Sequence, residues 1–349
     1  MPEQLPLDAL IARAAENPLA LARLANVLFN MGENARASEI ALKALRSAPD
    51  NAEIRCLVSD VLSQGVPRWH FNIVRDEERN AAFAAAIERA VTAQTKVLEI
   101  GAGTGMYAMM AARAGAKDIV TCESVPAIAM AVREIVALNG FADRVRVVAK
   151  KSFDLDPDAD MAGLADVLVS EVISNSMVAE HTLSIIEHAA RVLLKPGARI
   201  IPARGLVRVA LAHDAKFHLA RMDTIDGFDL SPFDRLARSF YRVPRGDTRL
   251  TLMSAPVDLF DFDFQSGGPF PAATAAKTLT SSGGRANGVA QWLALQMDES
   301  GWYENNPVPG TASAWAVIFW PFAAPRECPR GTTIEVYGSH DRRQLRVWA

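Results

Sequence analysis

Lys96-Val97-Leu98-Glu99-Ile100-Gly101-Ala102-Gly103-Thr104-Gly105 is the stretch on which the reading of this chain turns. Its first five residues, with Val97, Leu98 and Ile100 apolar, make a short strand. Three glycines follow at alternate positions, and glycine lets a backbone turn tightly and approach a ligand closely. A helix to about residue 114 is expected next, then a second strand over 118–122 that ends in Glu123. An acid at the end of that second strand accepts hydrogen bonds from both hydroxyls of a ribose. Strand, glycine loop, helix, strand and acid together make a nucleoside-binding unit. The unit alone does not separate NAD from S-adenosylmethionine. Gly105 follows Gly103 by two positions, where G-x-G-x-x-G needs three, which leans away from NAD.

The alternation continues outward. A helix over 126–138 closes on Asn139-Gly140, and a third strand spans 144–149. Ser152 and Asp154 then stand where a polar group could meet an adenine edge. The run Ala165-Asp166-Val167-Leu168-Val169 is a fourth strand, delivering Glu171 to its C-terminal end. An irregular Ser174-Asn175-Ser176 loop leads to Glu180 and a helix over 182–194. Leu194-Lys195-Pro196-Gly197 reads as a turn, with a strand over 199–201 after it. Such alternation gives a parallel, doubly wound sheet, whose ligands bind at the C-terminal strand ends. Two acids on one short loop there make a negative pocket, and paired carboxylates hold a planar guanidinium through bidentate bonds. Read alone, the segment fits two solvated loop glutamates equally well.

The flanks differ in texture. Residues 1–66 are rich in Ala and Leu, and Leu21, Leu24, Leu28, Ala37, Ala41, Ala44 and Leu45 recur at helical spacing around the breaker Met31-Gly32-Glu33-Asn34. Residues 18–51 resemble one tetratricopeptide repeat, with half-repeats over 7–16 and 52–64; a generic helical hairpin is the alternative. A lone repeat cannot bury its own face, so it should dock on the rest of the chain or offer a groove to a partner protein. Trp69-His70-Phe71 beside the charged run 75–79 reads as a segment that folds over a ligand, or as a helix start with acids in its first turn. It leads into a helix over 81–91. After residue 203, short β-like runs (206–211, 288–296, 314–319, 333–337, 344–348) separated by Gly, Pro and Ser point to an antiparallel barrel or sandwich. A charged, aromatic helical insert over 218–241 interrupts them, and 280–287 reads as a flexible loop. Three units follow: helical 1–66, an α/β Rossmann-like 67–202 and a β-barrel 203–349.

Composition narrows the partners. The chain has 349 residues, 50% of them hydrophobic, and a net charge of -3 with no basic stripe, which argues against nucleic acid. Cys56, Cys122 and Cys328 are scattered and make neither a disulfide framework nor a metal spacing; a cytoplasmic setting is the simplest inference. No basic leader opens the chain, and no apolar run reaches membrane-spanning length.

Taken together, these residues carry a family. From about residue 67 to the end the chain resembles the protein arginine N-methyltransferases, and most closely their branch with tetratricopeptide repeats ahead of the catalytic domain. Glu99-Ile100-Gly101-Ala102-Gly103-Thr104-Gly105 matches the S-adenosylmethionine motif, and Glu123 the ribose-binding acid. Glu171 and Glu180 match the two arms of the double-glutamate loop. His70, Asp76 and Arg79 match the N-terminal signature that closes over the cofactor, with Arg79 on its methionine carboxylate. Gly227-Phe228-Asp229 matches part of a dimerisation arm, and Trp292 the Trp of a Thr-His-Trp loop. That triplet reads Ala290-Gln291-Trp292 here, so the family's His–Asp pairing to Asp76 is absent or replaced by a Gln amide. Ile73 stands where the signature often has Met.

The resemblance implies S-adenosylmethionine as cofactor, no metal, a homodimer, and methyl transfer to arginine of a protein or peptide. Alternatives are another class I methyltransferase, a small guanidine or free arginine as substrate, and a non-catalytic scaffold that binds cofactor or partner.

Overall fold

The computed structural model describes residues 7–14, 16–222, 224–309, 311 and 313–349. Four helices open it: α1 (Leu7–Ala14), α2 (Pro18–Asn30), α3 (Asn34–Ser47) and α4 (Ala52–Ser63). Asn17 and Asn51 cap α2 and α4, their side-chain oxygens each accepting a backbone N–H three residues on at 3.1 Å. Small residues such as Ala22, Ala25, Ala37, Ala41 and Ala44 let the helices approach closely, and Leu21, Leu28, Ile54 and Val58 fill the space between them. The segment thus has a core of its own, and α3 also lies on a later helix of the α/β unit. Arg46 there donates to Glu134 at 2.8 Å, an exposed pair of small energetic value.

Next come α5 (Trp69–Ile73) and α6 (Glu77–Ala90). α6 starts four residues earlier than the alanine run predicts, because Asp76 caps it, accepting from the Arg79 N–H at 3.1 Å. The alternating unit is β1 (Lys96–Ile100), α7 (Met106–Arg113), β2 (Asp118–Cys122), α8 (Pro126–Leu138), β3 (Val145–Val148), β4 (Ala165–Ser170), α9 (Thr182–His188) and β5 (Leu194–Ile201). It is α8 that receives α3, and Glu134 lies on it. Two differences from expectation lie side by side. α9 relaxes into a wider π turn at Ala189–Leu193, and β5 begins there. The Lys-Pro-Gly-Ala residues are a bulge within β5, since Ala165 pairs with Leu194 but Val167 with Arg199.

All five strands are parallel, in the order β3-β2-β1-β4-β5. The chain winds one way from β1 to β3 and the other way from β4 to β5. Loops leaving β1 and β4 therefore splay apart and leave a crevice between them. The glycine loop follows β1 and Glu171 follows β4, so topology alone brings them together.

The remaining strands are β6 (Arg204–Asp214), β7 (Thr224–Ile225), β8 (Phe228–Asp229), β9 (Tyr241–Val243), β10 (Leu250–Leu252), β11 (Val257–Phe262), β12 (Ala273–Thr280), β13 (Arg285–Gln296), β14 (Trp302–Glu304), β15 (Val317–Glu327), β16 (Thr333–His340) and β17 (Leu345–Trp348). Seven make one antiparallel sheet running β10-β6-β13-β15-β9, with β11 on β6 and β14 on β13. A second sheet, β12-β16-β17, completes a barrel-like domain. Along β13 the side chains alternate: Val289, Leu293 and Leu295 join the core shared with the parallel sheet, while Ala290 and Trp292 join a separate cluster with Val243 and Phe319.

Two expectations are corrected. The insert over 218–241 is not helical: its described residues form 3-10 turns at Phe217–Ala220 and Ser231–Leu236 around the tiny β7–β8 hairpin. Asp-Gly at 226–227 supplies two positive φ angles, which favours a hairpin over a helix. The loop over 280–287 is a tight turn at 281–284, with β12 before it and β13 after it. Among the described residues no helix is long and apolar enough to cross a membrane.

Candidate active site

The glycine loop is shaped by what it must avoid. Gly101 has φ +85°, and a Cβ there would sit 2.6 Å from the Val172 side chain; one on Gly105 would sit 2.8 Å from Val132. The N–H groups of Gly101 and Ala102 both donate to the Cys122 carbonyl at 3.1 Å, bending the loop over β2. At the end of β2, Glu123 accepts from the Val125 N–H at 2.9 Å and the Gly103 N–H at 3.3 Å. Its carboxylate is thereby fixed at the rim of the crevice.

A cavity of about 290 Å³ fills this crevice. Its lining brings together His70, Arg79, Gly101, Gly103, Thr104, Glu123, Glu171 and Glu180. Tyr107, Met106, Val125 and Ile128 also line it, and sequence reasoning did not single them out. The positions just after a glycine loop and a ribose acid are the signal that would have found them.

Two acids of the crevice region share one raised pKa and differ in their partners. Glu171 lies at the β4 end with its side chain 14% exposed, 3.3 Å from Arg79 Nη1. Burial pushes its carboxyl up to about 8, the Arg79 charge opposing this while Glu180 and Asp76 add to it. Glu99 lies one layer below, inside β1; among the described residues neither carboxylate oxygen has a partner at hydrogen-bond geometry, and burial pushes it also up to about 8, with the nearby Thr121 hydroxyl and backbone N–H groups opposing this. It does not line the cavity. Glu180, with φ +61°, is exposed at the rim; burial of its carboxyl raises it, and the charges of His70 and Arg242 pull the other way.

Asp76 and Arg79 organise the cover. Arg79 is 1% exposed; it also donates to the Ile73 carbonyl and to Asn80 Oδ1 at 3.1 Å, while its Nε has no acceptor among the described residues. Asp76 Oδ2 accepts from Tyr303 OH at 2.9 Å, Ser313 Oγ at 2.7 Å and the Ala314 N–H at 3.2 Å. Burial would raise its pKa, but these bonds and the one from Arg79 N–H hold it below the ordinary carboxylate value. Tyr303 and Ser313 thus stand where a Gln amide was one expectation; no spacing in the sequence announces them. His70 stacks on Trp69 at 3.8 Å, and its Nδ1 is 3.1 Å from the Pro67 carbonyl.

Gln291 reaches the site differently. Its Nε2 donates to the Asn175 carbonyl at 2.9 Å, bracing the loop between Glu171 and Glu180 from the barrel. Because neighbours on a strand face opposite ways, Trp292 points away from the cavity, and its indole N–H donates to Glu304 at 2.6 Å. Ser152 lines a second cavity, of about 420 Å³, beyond Glu123 with Lys150, Lys151 and Phe153. Asp154 is exposed and lines neither space.

Comparisons with known proteins agree with this layout. A family model described as ribosomal protein L11 methyltransferase (PrmA) matches residues 82–209, the parallel-sheet region. An arginine N(omega)-methyltransferase of Streptomyces achromogenes subsp. streptozoticus is 33% identical over 318 residues, 89% of this chain and 87% of that protein. Protein arginine N-methyltransferase 7 of Drosophila grimshawi is 32% identical over 56% of this chain, and protein arginine N-methyltransferase 1.6 of Arabidopsis thaliana 30% over 66%. The matches span only 30% and 34% of those two proteins. Among solved structures, a Trypanosoma brucei PRMT1 enzyme–prozyme heterotetrameric complex with AdoHcy superposes with a TM-score of 0.71 at 20% identity, over 79% of this chain and 89% of that one. Arabidopsis thaliana protein arginine methyltransferase 10 gives 0.65 at 15% identity, over 80% and 89%.

Proposed function

The chain belongs to the arginine N-methyltransferases, and from that premise we propose that it methylates a guanidinium nitrogen of arginine in a protein or peptide, with Glu171 and Glu180 as the clamp. One observation carries the reading: both glutamates line the same cavity as the glycine turn, Glu123 and Arg79.

The residues fit S-adenosylmethionine. Gly101 and Gly103 permit close backbone approach, and Glu123 faces the crevice for a ribose. Arg79, whose Nε has no acceptor among the described residues, suits a carboxylate, and Ser152, in the adjoining cavity, would meet the adenine. When bound, the cofactor supplies a sulfonium methyl that is already electrophilic.

The protein's own work is done on the nucleophile. A guanidinium is a poor one, because its lone pairs are delocalised and it stays protonated up to a pKa above about 12. Glu171 and Glu180 accept hydrogen bonds from two of its nitrogens and draw positive charge toward themselves. The third nitrogen keeps more lone-pair density and is held in one orientation. A strong base is not needed early, since the new N–C bond makes the remaining N–H acidic. Glu171, protonated below about 8 when no substrate is present, ionises beside the substrate cation.

Glu171→Gln keeps the shape and removes the charge. We expect kcat to fall about 100-fold or more while calorimetry shows cofactor affinity within about threefold of wild type. Near-normal turnover would remove the clamp from the mechanism.

A second reading of the substrate is favoured by one finding: the relative matched over most of both chains is named for arginine itself, without the word protein. Free arginine therefore stands beside peptide arginine. We also propose a homodimer through the insert, where Phe228, Phe233 and Leu236 are each more than 60% exposed. Light scattering at micromolar concentration should give twice the chain mass, and Phe228→Ser with Phe233→Ser should return the monomer. A monomeric wild type would dispose of the dimer.

A further inference from the structure

On the barrel side of the clamp loop lies another cavity, of about 550 Å³. Glu180 lines both it and the cofactor cavity, so the two spaces meet at that side chain. Its other charged walls are all cationic: Arg238, Arg242, Arg343 and Arg346. They converge from two distant parts of the chain, β9 with its approach and β17 with the turn before it.

Unlike several other arginines of the barrel, these are scarcely paired. Arg204, Arg208 and Arg249 each hold an aspartate. The guanidinium groups of Arg238, Arg242 and Arg343 make no hydrogen bond or ion pair among the described residues. Arg346 does bond to Gln344, and it lies 3.8 Å from Asp341. Trp320 lines the same space; it is 4% exposed and its indole N–H has no partner among the described residues. A wall of four cations around one carboxylate repels a bare guanidinium approaching from solvent. It accepts one whose far end is anionic.

We infer that this arginine cluster is a carboxylate subsite, so that the substrate is a guanidine compound bearing a carboxylate at the end opposite the methylated nitrogen. Arginine itself, through its α-carboxylate, is the smallest such molecule. A peptide arginine flanked by Asp or Glu presents the same chemistry from another source. The inference rests on the reading of Glu171 and Glu180 as the guanidinium clamp.

Steady-state transfer from labelled S-adenosylmethionine tests it with two pairs of acceptors: L-arginine against agmatine, which lacks the carboxylate, and acetyl-Asp-Arg-Asp-amide against acetyl-Gly-Arg-Gly-amide. In at least one pair the carboxylate-bearing member should win by about 10- to 100-fold, the range of a charge-assisted bond, and mainly in KM. Which pair responds identifies the source. Arg242→Ala and Arg343→Ala should shrink that ratio to within about threefold, and Arg242→Lys should restore part of it. Equal use within both pairs by the wild type overturns the subsite while leaving the clamp standing, and so does a ratio that survives both alanine variants. Transfer to none of the four compounds overturns the clamp and the subsite together.

Discussion

The loop from Glu171 to Glu180 separates two regions of opposite character. On its crevice side the charged groups are acids with few partners, Glu123, Glu171 and the rim residue Glu180, answered by a single buried arginine. On its barrel side the charged groups are arginines, answered by Glu180 alone. Nearly all the sequence-level reasoning concerned the first side. The contrast teaches that one short segment can offer a cation hole to one neighbour and an anion hole to the other, with Glu180 belonging to both.

The contrast is most sharply broken at Arg79, the buried guanidinium of the crevice. Arg79→Ala should weaken cofactor binding about 100-fold, because it removes charge-assisted bonds to the cofactor carboxylate; calorimetry decides, and affinity within threefold of wild type would free Arg79 from that role. A smaller effect is expected where the two regions are joined. Gln291→Leu removes the 2.9 Å bond to the Asn175 carbonyl, which should cost about 1 kcal/mol of loop order and lower kcat about fivefold with cofactor affinity intact. Unchanged kcat would mean that the barrel does not brace the clamp.

The smallest effect on rate, and the one that sharpens the comparison, concerns Glu99. This acid has the same pKa of about 8 as Glu171 but does not line the crevice. Its folded pKa is raised above the unfolded value near 4.5, so the folded state binds the proton more tightly. Its contribution to stability is whole below about 4.5 and is lost as pH climbs through about 8. Thermal denaturation of the cofactor-free protein should therefore give a Tm that falls between pH 5 and 8, less steeply in Glu99→Gln. An equally steep fall in the variant would assign the pH dependence to other groups.

Much of the fold was legible because its signals are local. Strand, glycine loop and acid sit within thirty residues, and α8 ends where Asn139-Gly140 says it should. The parallel order followed from alternation alone. What escaped was non-local or weakly patterned. β12, Ala273–Thr280, is rich in alanine and shows no β-branched run; it is a strand because all eight residues pair with β16. The insert's polar and aromatic residues mimic a helix, while Asp226-Gly227 dictates a hairpin. At the site, Glu123 and Glu171 were readable from their strand-end positions, and Arg79 only from the family resemblance. Tyr303 and Ser313 were not, since they meet Asp76 only after more than two hundred intervening residues have folded. Trp292 was matched by motif, yet the pleat turns it the other way.

Asp76 ties the start of α6 to the barrel through bonds from Tyr303, Ser313 and Ala314. Just ahead of it, the single turn Trp69–Ile73 has no buried residue, and Phe71 is 62% exposed. One end of the strap is therefore riveted and the other is held by little. Each catalytic round must discharge a spent nucleoside and admit a fresh one. Outward swing of that loose turn about the Asp76 pivot would open the crevice with the barrel and the parallel sheet left in place.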